Sequence, residues 1–171
     1  IITFDAHDPG VEHALHYTEF DNIFPSNVIL KDLINTVDIE DLVYVTCVAP
    51  DNGANARRNI YLNSLNSDFV TIEAGSFYKQ RDYNNLVNGK YPVIAHDYCG
   101  NDDLKGKTAI VTDDMISSGG SMIDVIDELK SRGVGKVYVI VTYALFTKGI
   151  DKFEKYYKEG KLDGVYTSNL S

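Results

Sequence analysis

Cysteine is scarce in this sequence: Cys47 sits inside an apolar run and Cys99 is expected in a polar loop, and there is no other. Two cysteines outside CxxC spacing are too few to brace a small secreted fold, so a reducing, cytoplasmic compartment is expected. Basic residues are also in deficit, 16 Lys plus Arg against 25 Asp plus Glu, for a formal charge of -9. A field of that sign repels nucleic acid and anionic membrane surfaces, and neither is expected as a partner. No run of about 18 apolar residues occurs, and the opening IITFDAHDPG lacks a basic stretch leading into a long apolar one. Neither a membrane span nor a signal peptide is expected. Internal repeats, low-complexity tracts and long charge runs are absent as well. What remains is 171 residues, 44% apolar and 24% charged, close to the globular average. That suffices for one domain, or one domain carrying a piece of another, and not for two.

The apolar runs are short, rich in β-branched residues and separated by amphipathic stretches, which predicts strands alternating with helices. Strands are expected over Ile1–Phe4, Leu42–Val48, Phe69–Ile72, Pro92–His96, Thr108–Thr112, Val137–Leu145 and Val165–Ser168. Runs such as VYVIVTYAL do not alternate polar with apolar. Strands of a parallel sheet covered on both faces read this way, so an α/β domain with a mostly parallel sheet flanked by helices is predicted. The clearest helix follows Gly120, where Met122, Ile123, Val125, Ile126 and Leu129 form one stripe. Ser118 or a neighbouring serine is expected to cap its start, and Gly133 to end it in the left-handed conformation. Gly75–Tyr91 and Asp8–Pro25 show little periodicity and read as loops.

The most informative stretch is TAIVTDDMISSGGSMIDVIDELKSRG, residues 108–133. An apolar strand ends in Asp113 and Asp114, passes through a Ser/Gly loop and enters a helix. Backbone N–H groups and the hydroxyls of Ser117, Ser118 and Ser121 can surround a phosphate, helped by the positive end of the helix. Gly119 and Gly120 allow close approach of the backbone. The carboxylates can accept hydrogen bonds from sugar hydroxyls or hold a divalent cation. A sugar phosphate satisfies both halves; a solvated strand-to-helix turn in which Ser and Gly only cap the helix is the plainer alternative. The loop has no Walker lysine after its glycines, and no GxGxxG appears elsewhere.

With this loop the sequence resembles the type I phosphoribosyltransferase fold. Further motifs narrow the resemblance: FDAH at Phe4–His7, APDNGANAR at Ala49–Arg57, YKQR at Tyr78–Arg81 and DDMISSGGS at Asp113–Ser121 occur in the order found in the ribose-phosphate pyrophosphokinase (phosphoribosyl-diphosphate synthetase) family. The tail VYTSN is similar to that family's strand after the last helix. The resemblance implies transfer of the diphosphate of Mg-ATP to the C1 hydroxyl of ribose 5-phosphate, giving 5-phosphoribosyl 1-diphosphate and AMP, in a homo-oligomer serving nucleotide biosynthesis.

It also implies roles. Asp113, Asp114, Ser117, Ser118, Gly119, Gly120 and Ser121 would bind ribose 5-phosphate; Asn52, Gly53 and Arg57 would contact diphosphate; His7 and Asp51 would help hold Mg2+ at the ATP phosphates; Lys79 and Arg81 would be the catalytic pair of a mobile loop. Several of these have a reading of their own. An imidazole two residues after an acidic residue, and a carboxylate directly after a strand, can serve a cation, although such a His is also at home as a structural residue and Asp51 or Asn52 as a helix cap. Two cations at alternate positions can clamp a phosphoryl group, and equally can be solvated surface.

Family members resemble two tandem copies of the fold, the first supplying most adenine contacts. Residues 1–40 are therefore expected to be the end of a preceding homologous domain plus a connecting segment, and residues 41–171 the ribose-phosphate-binding domain, so that the chain is the C-terminal half of the enzyme. Two alternatives stay open. A nucleobase phosphoribosyltransferase would use the same loop with residues 1–40 as a hood over the base. A non-catalytic regulatory homologue is kept alive by Ala54, where the family usually has a second glycine, and by Ser117, where it commonly has an acidic residue.

Overall fold

The structure, a computed structural model, describes residues 1–65, 70–81, 84 and 93–170. Eight strands are found among them: β1 (Ile2–Phe4), β2 (Asp21–Ile23), β3 (Tyr44–Ala49), β4 (Thr71–Arg81), β5 (Val93–Cys99), β6 (Thr108–Ile116), β7 (Lys136–Ala144) and β8 (Gly164–Leu170). The α-helices are α1 (Ser26–Thr36), α2 (Asn55–Leu65), α3 (Gly120–Ser131) and α4 (Asp151–Lys158). Six strands form one sheet in the order β5-β4-β3-β6-β7-β8, parallel except for the antiparallel edge pair β4–β5. The two short strands β1 and β2 pair with each other in parallel, outside that sheet.

The continuous apolar runs are explained by burial on both faces. Along β7, Val137, Val139 and Val141 pack with the α3 stripe and Phe153 of α4, while Tyr138 and Ile140 pack with Ile29, Leu30 and Leu33 of α1 and with Tyr61 of α2. Alternate residues thus enter two separate cores, which is why no polar face is left in the sequence. The helix α1 belongs to the second of these cores, together with Leu42 and Val45. Among the described residues no helix is long and apolar enough to cross a membrane.

Strand order decides where a site can form. The chain lays down β3, moves outward through β4 to β5, and then returns to place β6 on the other side of β3. Loops leaving β3 and β6 therefore diverge from adjacent carboxyl ends, the crevice in which open α/β sheets bind ligands.

Three local expectations are corrected. Residues 75–81 are not loop: β4 continues through them, in register with β5 from Ser76↔Cys99 to Arg81↔Val93. The run lacks a strand-like pattern because Gly75 must lie bare against the phenol of Tyr98, where a Cβ would collide. The Asp8–Pro25 stretch contains β2 and a short 3-10 helix at Pro9–Ala14, started by Asp8 accepting a hydrogen bond from the Gly10 N–H at 2.8 Å. No serine caps α3: its N-cap is Gly119, at φ +77° with no side-chain cap. Gly133 does take the left-handed conformation, φ +85°, just after that helix.

Candidate active site

A cleft of about 370 Å3 opens between the loops that follow β3 and β6. It collects residues from three distant segments. The first contributes His7; the second Asp51, Gly53 and Arg57; the third Asp113, Asp114, Ser117, Ser118, Gly119 and Ser121. Asn52 and Gly120 stand beside them, in the turn before α2 and at the first position of α3, without lining the cleft.

The loop after β6 is shaped by packing from below. Gly119 is buried at φ +77°, and a Cβ there would lie 2.5 Å from the Phe153 ring, so α4 supports the turn by contact that only glycine permits. The hydroxyls of Ser117, Ser118 and Ser121 are exposed and make no side-chain hydrogen bond among the described residues. Next to them α3 presents its N-terminal N–H groups, the arrangement that suits a phosphate. On the opposite wall the Asp51 Oδ1 accepts from the Gly53 N–H at 2.9 Å, capping the short turn Asn52–Ala54 that leads into α2. Asp51 is exposed, and its second oxygen has no protein partner among the described residues.

The two carboxylates of β6 differ. Asp114 is buried; its Oδ1 accepts from the Met115 N–H at 2.8 Å and its Oδ2 meets His7 Nδ1 at 2.5 Å. The hydrogen bond that the imidazole donates to Asp114, with the charge of that carboxylate, raises the pKa of the exposed His7. Asp113 keeps 24% of its side chain exposed, accepts from the Asp114 N–H at 2.9 Å and lies 3.8 Å from Arg57 Nη1. Burial first, then the side-chain interaction and negative charge of Asp114, push its carboxyl up to about 7, against the lowering effect of the Asp114 N–H bond. For Arg57, burial opposes the charge, but hydrogen bonds to Asp5 and the charges of Asp5, Asp114 and Asp113 outweigh it and raise the pKa.

These shifts predict a pH dependence of stability. A carboxyl whose folded pKa lies above its unfolded value binds more protons when folded, so stability falls as pH rises from about 4 to about 7. Urea unfolding across this range should show the fall, on the order of 2 kcal/mol or more, and Asp113→Asn should flatten it. The raised His7 adds stability below pH 6.5 that is lost as pH climbs through its folded pKa, and that part should survive in Asp113→Asn.

A sequence-family profile described as "Phosphoribosyl transferase domain" matches residues 25–167. The chain belongs to that family. Among curated relatives, this phosphoribosyl transferase domain is 27% identical over 170 residues to a ribose-phosphate pyrophosphokinase of Wolinella succinogenes, covering 99% of this chain and 48% of the relative. It is 26% identical over 148 residues to one of Pasteurella multocida, covering 86% and 42%. The chain thus spans less than half the length of these relatives. In fold it is similar to phosphoribosylpyrophosphate synthetase from Mycobacterium smegmatis, with a TM-score of 0.60 and 23% identity, covering 84% of this chain and 41% of that one. The predicted fold class, a mostly parallel α/β sheet of type I phosphoribosyltransferase kind, is what the structure has.

Within this phosphoribosyl transferase domain, Lys79 and Arg81 stand on β4, their backbones in register with His96 and Val93. Their side chains, and residues 82–92 apart from Asn84, lie outside the described residues. Asp5 and Thr142 take part in the site without being among the residues to which the motifs give a role. Asp5 is 2% exposed and receives both Arg57 and the Thr142 hydroxyl. The available signal was an acidic residue directly after an apolar strand in the FDAH motif; what it binds, 52 and 137 residues away, is not written locally.

Proposed function

We propose that this chain is the ribose 5-phosphate-binding half of an enzyme that transfers the diphosphate of ATP to ribose 5-phosphate. The C1 hydroxyl oxygen would attack the β-phosphorus of ATP, the bond from that phosphorus to the α,β-bridging oxygen would break, and AMP would leave as the hydroxyl proton is lost to solvent. The observation that carries this reading is the convergence of three motifs, His7, Asp51 to Arg57 and Asp113 to Ser121, on one cleft. In it Gly119, Ser118 and the start of α3 would take the 5-phosphate, and Asp113 and Asp114 would face the ribose hydroxyls. Arg57 and the Asn52–Gly53 turn would meet the diphosphate, and Lys79 and Arg81 would stabilise charge developing on it.

The donor set fits magnesium. Asp51 has a free hard oxygen, and His7, held through Nδ1 by Asp114, keeps Nε2 available. Magnesium takes few protein ligands and completes its shell with phosphate oxygens and water. Bound there, the ion would neutralise charge on the diphosphate. Homo-oligomerisation and a cytoplasmic setting remain part of the proposal by resemblance to the family.

The test is a product assay with ATP, magnesium and ribose 5-phosphate on this chain and on any longer natural form, with calorimetric titration of ribose 5-phosphate alongside. AMP formed by the longer form, with ribose 5-phosphate bound by both, is the expected result. Ribose 5-phosphate binding without AMP from the longer form overturns the diphosphate transfer. Asp114→Asn should weaken ribose 5-phosphate binding by about tenfold or more, because it removes the charge that accepts hydroxyl hydrogens and holds His7. Parental affinity in that variant would remove Asp114 from the ribose site.

A further inference from the structure

Beneath the cleft lies a carboxylate that the proposed chemistry does not use directly. Asp5 is 2% exposed and takes φ +44°, a backbone region that non-glycine residues seldom adopt. In that conformation its oxygens receive Arg57 Nε at 2.7 and 2.8 Å, Arg57 Nη2 at 2.7 Å and the Thr142 hydroxyl at 2.6 Å. The backbone around it is held on both sides: the Asp5 N–H donates to the Ile23 carbonyl at 2.9 Å, the Ala6 N–H to Asn22 Oδ1 at 2.9 Å, and the Tyr143 hydroxyl to the Phe4 carbonyl at 2.8 Å.

The consequence falls on Arg57. A guanidinium carries five donors in a rigid fork. Asp5 engages the Nε and Nη2 edge of an arginine that lines the cleft, and Nη1 is left 3.8 Å from Asp113, beyond hydrogen-bonding distance. The fork therefore has one orientation before any anion arrives, which lowers the ordering cost of binding one. A purely structural ion pair would not require the arginine to line the cleft.

We propose that Asp5 is a positioning residue that aims Arg57 at the diphosphate, with Thr142 fixing Asp5 to β7. The inference rests on the diphosphate-transfer reading and names a determinant of that site.

The experiment titrates inorganic pyrophosphate and ribose 5-phosphate separately into the parent protein and into Asp5→Asn, Thr142→Val, Arg57→Gln and the Asp5→Asn/Arg57→Gln double variant, with a thermal melt of each. Asp5→Asn should weaken pyrophosphate about tenfold and leave ribose 5-phosphate within about twofold, and it should add nothing in the Arg57→Gln background. Thr142→Val should shift pyrophosphate affinity in the same direction by about threefold, and it decides the matter if Asp5→Asn does not fold. Equal losses for both ligands, parental pyrophosphate affinity in a folded variant, or the same loss with Arg57 already replaced would overturn the inference while the proposed function stands. A parent that binds neither anion overturns both.

Discussion

Gly119→Val should abolish measurable ribose 5-phosphate binding, with a loss of at least about 100-fold, and lower stability by about 2–4 kcal/mol. Two effects add. The residue sits at φ +77°, which a β-branched side chain adopts only under strain, and its Cβ would lie 2.5 Å from Phe153 Cε2 and 3.0 Å from Cζ. Phe153 cannot withdraw freely, since it is 4% exposed and packs edge-on against Phe146 at 5.1 Å between ring centroids. Relief must come from the loop itself, which would lose the conformation that gathers its N–H groups. Gly120→Ala is the control: an added Cβ there meets nothing within 4 Å, so parental stability is expected. Calorimetric titration and urea unfolding of the two variants check this pair, and parental ribose 5-phosphate binding by folded Gly119→Val would remove the phosphate from this loop.

Lys79→Ala, made in a form of the protein that produces AMP, should lower kcat by about 10²–10³-fold while ribose 5-phosphate affinity stays near parental, because a preorganised cation lost from developing charge costs about 3–4 kcal/mol. The proposal gains a physical basis from the position of Lys79 on β4, a strand whose neighbour in the sheet, β3, leads directly into the Asp51 loop. Steady-state kinetics with ribose 5-phosphate varied separates the outcomes. An unchanged kcat would return Lys79 to the surface and favour the non-catalytic homologue.

Much of this architecture was legible in the chain because its information is local. Seven of the strands fall on apolar runs visible in the sequence, and the α3 stripe with its stop at Gly133 is written in successive residues. The exceptions have local causes too. The pattern of β4 is hidden by Gly75, which yields its side-chain space to Tyr98, and the three-residue β2, Asp21–Ile23, opens on two polar residues and so forms no apolar run. The cap of α3 is not legible locally, because a row of serines beside two glycines offers several N-caps, and only packing against Phe153 selects Gly119.

Local residue order carries the α/β class, the phosphate-type loop between β6 and α3, and the residue types available for sugar, phosphate and cation. How they combine depends on strand order. The return of the chain from β5 to place β6 beside β3 brings Asp51 and Asp113 to one cleft, and the left-handed turn at Asp5 locks Arg57 and sets His7 against Asp114. Such pairings join residues 52 to 137 positions apart, and His7 and Asp114 are 107 apart. Side-chain periodicity extends over only a few residues, whereas the direction and ionisation of a side chain depend on what strand order sets beside it.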